Sequence, residues 1–95
     1  MAAYVILDIK VEDSLVYDAY KKLSPPAVAA YGGKYLVRGG KVESLEGDWR
    51  PDRLVVLEFE NTDKAKAWMD SPEYRPVRAL RQKSAVTQSI LVEGV

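Results

Sequence analysis

Histidine and cysteine are both absent from this chain of 95 residues. Without cysteine the protein can form no disulfide, and it has no thiolate to act as a nucleophile or to bind a soft metal. Without histidine it cannot build a Ser-His-Asp triad, a histidine-ligated zinc site or a haem site with a proximal histidine. We therefore expect a protein that works without a bound metal ion, haem or other cofactor.

An excess of charge of either sign is also missing. Lysine plus arginine and aspartate plus glutamate both number 14, so the formal net charge is zero. The chain therefore has no basic field that would hold nucleic acid or an anionic membrane. The run Ala2–Ile9 is too short for a signal peptide or a membrane span. We expect one domain over residues 1–95, located in the cytoplasm, with no nucleic-acid or membrane partner.

Runs of β-branched and aromatic residues predict four strands. Tyr4–Val11 and Thr87–Val92 are the first and the last, and two runs within Gly32–Phe59 form a hairpin. The second hairpin run, Arg53–Phe59, is apolar at nearly every position, and such a strand must be covered on both faces. Helices cover only one face of the sheet, so we expect the other face to pack against a second copy in a homodimer.

The first helical region lies between the first strand and the hairpin. Asp13 is expected to cap it. Its apolar stripe is expected to comprise Leu15, Val16, Ala19, Tyr20 and Leu23. The Ser24–Pro26 segment predicts a bend followed by a second helical piece, because proline is favoured behind a serine cap and disfavoured inside a helix.

The second helical region is also expected in two pieces. It begins at Asn61 or Thr62, and Ser71-Pro72 then repeats the serine cap and starts a piece that ends near Gln82. The order strand, helix, strand, strand, helix, strand gives the ferredoxin-like split motif. We therefore expect an α+β fold, with a four-stranded antiparallel sheet and the helices on one face.

Several motifs follow one another along nearly the whole chain. They are Tyr31–Gly40, Glu46-Gly47, Trp49-x-Pro51-x-Arg53 with its run to Phe59, Ala67-Trp68 and Ser71–Tyr74. In this order they resemble the family called domain of unknown function 1330. Glu60 and Met69 depart from the family pattern, in which proline and an aromatic residue are expected. The resemblance implies a dimeric α+β barrel, in which two sheets pack face to face.

The resemblance brings no established activity, because that family is uncharacterised. Its wider superfamily includes cofactor-free oxygenases, lactone isomerases and haem-degrading enzymes, whose pockets commonly lie between sheet and helices. By this analogy we expect a cofactor-free enzyme that acts on a small organic acid or enol, or else a non-catalytic ligand-binding or stress-related dimer. A sheet–helix cleft lined by Arg38, Tyr74 and a carboxylate would favour the enzyme. A space filled by Trp68, Leu80 and Phe59 would favour the binding protein.

Three charged residues fall within strands that otherwise bury apolar surface: Asp8, Arg38 and Glu58. In this topology the first strand neighbours the third and the third neighbours the second, so we expect the three side chains to meet on one face. Arg38 would then bind an anion or enolate while a carboxylate of raised pKa acts as a base. Alternatively the group is a structural ion-pair network that fixes strand register or the dimer.

Trp49 and Arg53 form a second candidate site. The indole offers a stacking surface and the guanidinium a planar fork, which together suit an aromatic, anionic small molecule. Alternatively Trp49 anchors its loop on the sheet or on the partner subunit, and Arg53 pairs with Asp52 or Glu46 at the surface.

The last helical piece carries the remaining candidates. Tyr74 belongs either to the core or to the cleft, with its hydroxyl directed between helix and sheet. Arg75, Arg78 and Arg81 recur every three residues and, with Lys83, are expected to form a solvated basic face of the helix.

Overall fold

Four strands form one antiparallel sheet, and three helices pack on one of its faces. The computed structural model describes all 95 residues. In chain order the elements are β1 (Ala3–Val11), α1 (Ser14–Ala30), β2 (Lys34–Arg38), β3 (Arg53–Phe59), α2 (Thr62–Met69), α3 (Arg75–Ser84) and β4 (Ala85–Glu93). The strand order across the sheet is β2-β3-β1-β4. The predicted ferredoxin-like fold is confirmed, and β2 and β4 are its edge strands.

Alternate residues of the central strands β1 and β3 form the floor of the core. Val5 lies opposite Leu57, and the two side chains are only 4% and 2% exposed. Phe59 and Trp68 pack over this floor with their ring centroids 5.3 Å apart. Because side chains alternate along a strand, the residues between these point to the opposite face of the sheet.

That opposite face carries no helix and is called the open face here. Its apolar members are Tyr4, Ile6, Leu54, Val56, Val86, Ile90 and Val92. On β4 the side chains of Val86, Ile90 and Val92 are 57%, 62% and 43% exposed. The two-sided apolar pattern predicted for the strands is therefore present, with one side buried under helices and the other uncovered.

Helix α1 runs without a break through Pro25 and Pro26. The predicted interruption at Ser24–Pro26, with a second helical piece after it, is wrong. Ser24 caps no second helix, because its hydroxyl lies 2.8 Å from the Tyr35 hydroxyl of β2. The two prolines remove backbone donors, but the helix stays continuous as it packs mainly against α3 and, through Tyr17 and Ser24, contacts the sheet.

The buried stripe of α1 also differs from the predicted one. It consists of Tyr17, Tyr20, Ser24, Ala27 and Val28. Leu15 and Leu23, which were expected inside, are 82% and 52% exposed. The two tyrosines of the stripe find polar partners for their hydroxyls, Arg53 of β3 for Tyr17 and Tyr74 for Tyr20. The cap is confirmed, since the Val16 amide donates to Asp13 Oδ1 at 3.2 Å.

Two side chains fix the start of α2 and its link to α3. Asn61 Oδ1 accepts from the amide of Lys64 at 2.9 Å, which confirms the predicted cap. The Ser71 hydroxyl donates to the Trp68 carbonyl oxygen at 2.8 Å and accepts from the Tyr74 amide at 3.0 Å. Ser71 therefore holds a turn, and α3 begins after it. None of the three helices has the length and apolar character needed to cross a lipid bilayer.

Candidate functional site

Asp8, Arg38 and Glu58 do not meet. Asp8 lies opposite Leu54, whereas Glu58 lies opposite Tyr4. The two carboxylates share the open face but are four positions apart along the strands, which is roughly 13 Å. Arg38 lies opposite Val55, a residue of the helix-covered face. The predicted cluster across three strands is therefore wrong.

A β-bulge explains the error. Tyr35 lies opposite Leu57, but Val37 lies opposite Val56, so one extra residue is inserted between these pairs. Such an insertion sends every later side chain of the strand to the other face. Without it Arg38 would stand on the open face with the carboxylates.

The environment of Arg38 is exposed and contains no carboxylate partner. Its Nη2 donates to the carbonyl oxygen of Lys21 at 2.6 Å, and its guanidinium lies 4.7 Å from the centre of the Tyr35 ring. Leu36, expected to be buried beside it, is 51% exposed. Arg38 therefore ties β2 to α1. Glu58 is half-buried and takes part in no ion pair.

Trp49 and Arg53 are also separated by the sheet. The Trp49 indole donates to Asp8 Oδ2 at 3.0 Å, and the Asp52 amide donates to Asp8 Oδ1 at 3.2 Å. Arg53 lies under α1, where its Nε donates to the Tyr17 hydroxyl at 3.0 Å. The predicted joint site is not assembled. Trp49 instead anchors its loop on the open face, and Asp8 provides the anchor.

A buried polar group lies between α1 and α3, around Tyr74. The Tyr74 and Tyr20 hydroxyls are 2.8 Å apart, and Arg81 Nε donates to the Tyr74 hydroxyl at 3.4 Å. Tyr74 is fully buried and Arg81 is only 5% exposed. The Tyr74 ring packs in the core, 4.2 Å from the Trp68 ring, while its hydroxyl belongs to this polar group.

Arg81 is the functional candidate that the sequence reasoning missed. It was assigned to a solvated basic face, but it is buried together with Val77 and Ser84. The three residues stand at i, i+4 and i+7, so they share one face of α3. The signal was present in that spacing, because a helix packed on a sheet must bury one face and Val77 marks which one.

Burial sets the protonation states of this group. It raises the pKa of the Tyr74 phenol well above its usual value, and the neighbouring Tyr20 adds to this effect. Burial alone would lower the pKa of Arg81, but the contact with Tyr74 outweighs it and leaves that pKa raised. At neutral pH Tyr74 is therefore a neutral phenol and Arg81 is a cation.

Arg81 also lines an open cleft between α3 and the edge strand β4. We call it the α3–β4 cleft. It has a volume of about 400 Å³ and is lined by Met69, Arg78, Arg81, Gln82, Ala85, Thr87 and Ser89. No carboxylate is among them. By contrast, the space under α1 that is lined by Tyr35, Arg38 and Arg53 has about 10 Å³, room for about one water molecule.

Metal binding finds little support in the arrangement of side chains. No group of three or more aspartate and glutamate residues is placed to hold an ion. The polar side chains that line the α3–β4 cleft therefore carry guanidinium, hydroxyl and amide groups.

Comparison with known proteins places the chain in a family. The model of the family described as Domain of unknown function (DUF1330) matches residues 2–95. The chain belongs to the DUF1330 family. The resemblance seen in the sequence motifs is thus confirmed over nearly the whole chain. No curated protein matches it.

Solved structures share the fold of this DUF1330 protein. A protein of unknown function from Rhodopseudomonas palustris, RPA0582, has a TM-score of 0.79 at 20% identity, over 99% of this chain and 82% of its own. A dimeric ferredoxin-like protein of unknown function from Thermobifida fusca has a TM-score of 0.63 at 19% identity, over 99% and 92%.

The cofactor-independent oxygenase SnoaB from Streptomyces nogalater has a TM-score of 0.63 at 11% identity, over 99% and 92%. At such identities the likeness establishes the fold and not the chemistry.

Proposed function

We propose that this DUF1330 protein is a homodimeric enzyme that acts, without a cofactor, on a small organic acid or enol in the α3–β4 cleft. The observation that carries this proposal is the buried pair of Arg81 and Tyr74. Arg81 is 5% exposed, forms no ion pair within the chain and lines the cleft. A buried guanidinium without a counter-charge is costly, and an anionic ligand supplies that charge.

The pair suits the stabilisation of negative charge on a substrate oxygen. Arg81 contributes the positive charge, and the buried Tyr74 hydroxyl, which stays protonated because burial raises its pKa, accepts from Arg81 Nε and positions the guanidinium. When an enol substrate loses its hydroxyl proton to water, the remaining N–H groups of Arg81 stabilise the enolate oxygen that is left. Donors fixed in a buried site serve this purpose better than water does.

No general base lies beside the pair. The lining residues of the cleft include no carboxylate, and the candidate bases Asp8 and Glu58 lie on the open face. The site therefore favours substrates that ionise readily, such as enols of keto acids and phenols. An electron-rich enolate is also the form in which an organic molecule reacts with O₂ directly. SnoaB, a cofactor-independent oxygenase of the same fold, is consistent with that reaction class.

The open face supports the homodimer. It presents an apolar surface with Val86, Ile90 and Val92 about half exposed, and a second copy would bury the same surface in isologous C₂ pairing. The neighbour from Thermobifida fusca is described as dimeric.

A non-catalytic ligand-binding dimer is the second candidate. The observation in its favour is the tight filling of the central sheet–helix space. Phe59, Trp68 and Tyr74 are at most 1% exposed, and the space under α1 has only about 10 Å³. The open volume is that of the α3–β4 cleft, beside the edge strand β4.

Turnover of a panel of keto acids and phenolic acids separates the two candidates. Product formation and O₂ uptake would be measured for the wild type, for Tyr74→Phe and for Arg75→Gln, an exposed arginine on the same helix. We expect Tyr74→Phe to lower kcat by about 10²-fold, since it removes the hydroxyl that positions the Arg81 guanidinium. Arg75→Gln should behave as the wild type. Saturable binding with no turnover of any acid by the wild type would favour the binding protein.

A further inference from the structure

Two hydrogen-bonding groups in the α3–β4 cleft have no partner within the chain. Arg78 Nη1 donates to the carbonyl oxygen of Met69 at 2.9 Å and to Asp70 Oδ1 at 3.2 Å. The Nε of the same guanidinium is buried and unpaired, and so is Oγ1 of Thr87. Buried polar groups in proteins are nearly always paired, so each orphan calls for an explanation.

The geometry of Arg78 suits a carboxylate. Its Nη1 is held against the end of α2, which fixes the plane of the guanidinium. A planar guanidinium offers parallel N–H groups that match the two oxygens of a carboxylate. Thr87 lines the same cleft, and its buried, unpaired hydroxyl is the second donor that we assign to the same anion.

An apolar recess continues the cleft on its other side. It has about 220 Å³ and is lined by Val5, Ala65, Lys66, Met69, Ser89, Ile90 and Leu91. Met69 and Ser89 line both the recess and the cleft, so the two spaces adjoin there. For comparison, a dry apolar cavity of roughly 150 Å³ accepts benzene.

We propose that the substrate is an amphipathic monocarboxylate, with its carboxylate on Arg78 and Thr87 and an apolar body the size of an aromatic ring in the recess. This inference rests on the proposed function and names its substrate class. Arg78 precedes Arg81 by three residues on α3, a spacing that sets side chains roughly 5–6 Å apart at Cβ. The carboxylate of the substrate therefore binds Arg78, and its reacting oxygen binds Arg81.

The test is a comparison of three ligands by titration calorimetry. The first is 3-phenylpropanoate, the second 3-phenylpropan-1-ol, which keeps the ring and lacks the charge, and the third acetate, which lacks the ring. We expect 3-phenylpropanoate to bind at least about tenfold more tightly than either of the others, since the loss of one charged hydrogen bond costs about that factor. Equal affinity for the acid and the alcohol would overturn the proposal.

Substitutions test separately the part of the site that binds the carboxylate and the recess that binds the ring. Thr87→Val keeps the shape of the side chain and removes a hydroxyl that is unpaired in the free protein, so the melting temperature should not fall. Its affinity for 3-phenylpropanoate should fall by about tenfold, as should that of Arg78→Gln. Met69→Trp, which fills the junction of the two spaces, should abolish the preference for the ring. Arg75→Gln is the control on the same helix.

The outcomes distinguish this inference from the proposed function. Binding that depends on Arg78 and Thr87, without turnover of any acid, would leave the ligand class standing and refute the enzyme. Turnover that is lost in Tyr74→Phe but unchanged in Thr87→Val and Arg78→Gln would establish the enzyme and overturn the ligand class.

Discussion

At the scale of single residues, the candidate site centres on Arg81, a guanidinium that the fold buries without a counter-charge. Tyr74 could be predicted only as a residue of uncertain placement, because an aromatic ring with a hydroxyl suits both a core and a cleft. The structure places its ring in the core and its hydroxyl in the buried polar group with Tyr20 and Arg81. The burial of Arg81 could not be predicted from the charge pattern alone, since arginines that recur every three residues usually face solvent. Its burial follows from the position of Val77 on the same helix face.

The raised pKa values of the buried tyrosines predict that the protein loses stability at alkaline pH. Burial raises the pKa of Tyr74 above the value of about 10 that an unfolded tyrosine has. Below about pH 10 the phenol is protonated in both states, so its contribution to stability is fully present. Above that pH the unfolded chain loses the proton first, and the free energy of unfolding falls by up to about 1.4 kcal/mol per pH unit from this group.

Urea unfolding between about pH 8 and pH 11 measures this slope. Burial also raises the pKa of Tyr17 and of Tyr35, so these residues act in the same direction. Tyr74→Phe should make the slope shallower without removing it. A variant with an unchanged slope would show that Tyr74 ionises as it does in the unfolded chain.

At the scale of elements, the order and type of strands and helices could be predicted because their patterns are long and local. Two features could not. The bulge between Tyr35 and Val37 depends on pairing with β3, and nothing in the β2 sequence marks it. The continuity of α1 through Pro25 and Pro26 depends on packing, mainly against α3, that outweighs the local preference of proline. Both are cases in which tertiary contacts override a short-range rule.

The capping residue of α2 offers a test of local helix energetics. Asn61→Ala removes the acceptor of the Lys64 amide bond and should lower the free energy of unfolding by about 1 kcal/mol. Asn61→Asp is the matched control, because aspartate keeps an acceptor and its charge suits a helix N-terminus. Chemical denaturation measures both. If both variants lost the same free energy of unfolding, the Asn61 side chain would not stabilise the N-terminus of α2 as a cap.

At the scale of the whole molecule, the open face is the surface that we propose for assembly. Ile90 is 62% exposed there, and we propose that a second copy covers it. Ile90→Glu should shift the protein to a folded monomer, because a buried unpaired charge in the interface is strongly unfavourable. Light scattering at micromolar concentration checks the mass, and circular dichroism checks the fold.

Leu15→Glu is the control for this prediction. Leu15 is 82% exposed and lies on α1, on the helix side of the sheet, so the same substitution there should leave the assembly unchanged. A wild-type protein that is a compact, stable monomer at micromolar concentration would contradict the proposed dimer.

Strand β4 contributes residues to two surfaces, the α3–β4 cleft and the open face. Thr87 and Leu91 face the helix side, where the cleft and its recess lie, and they alternate with Val86 and Ile90, which face the open side. Point substitutions at Thr87 and at Val86 can therefore alter ligand binding and assembly independently, whereas Ile90 borders both the open face and the recess. A deletion or insertion of one residue in β4 exchanges the two sets, so it would remove both properties together. We expect lineages of this protein to tolerate changes of residue type along β4 but not changes of its length.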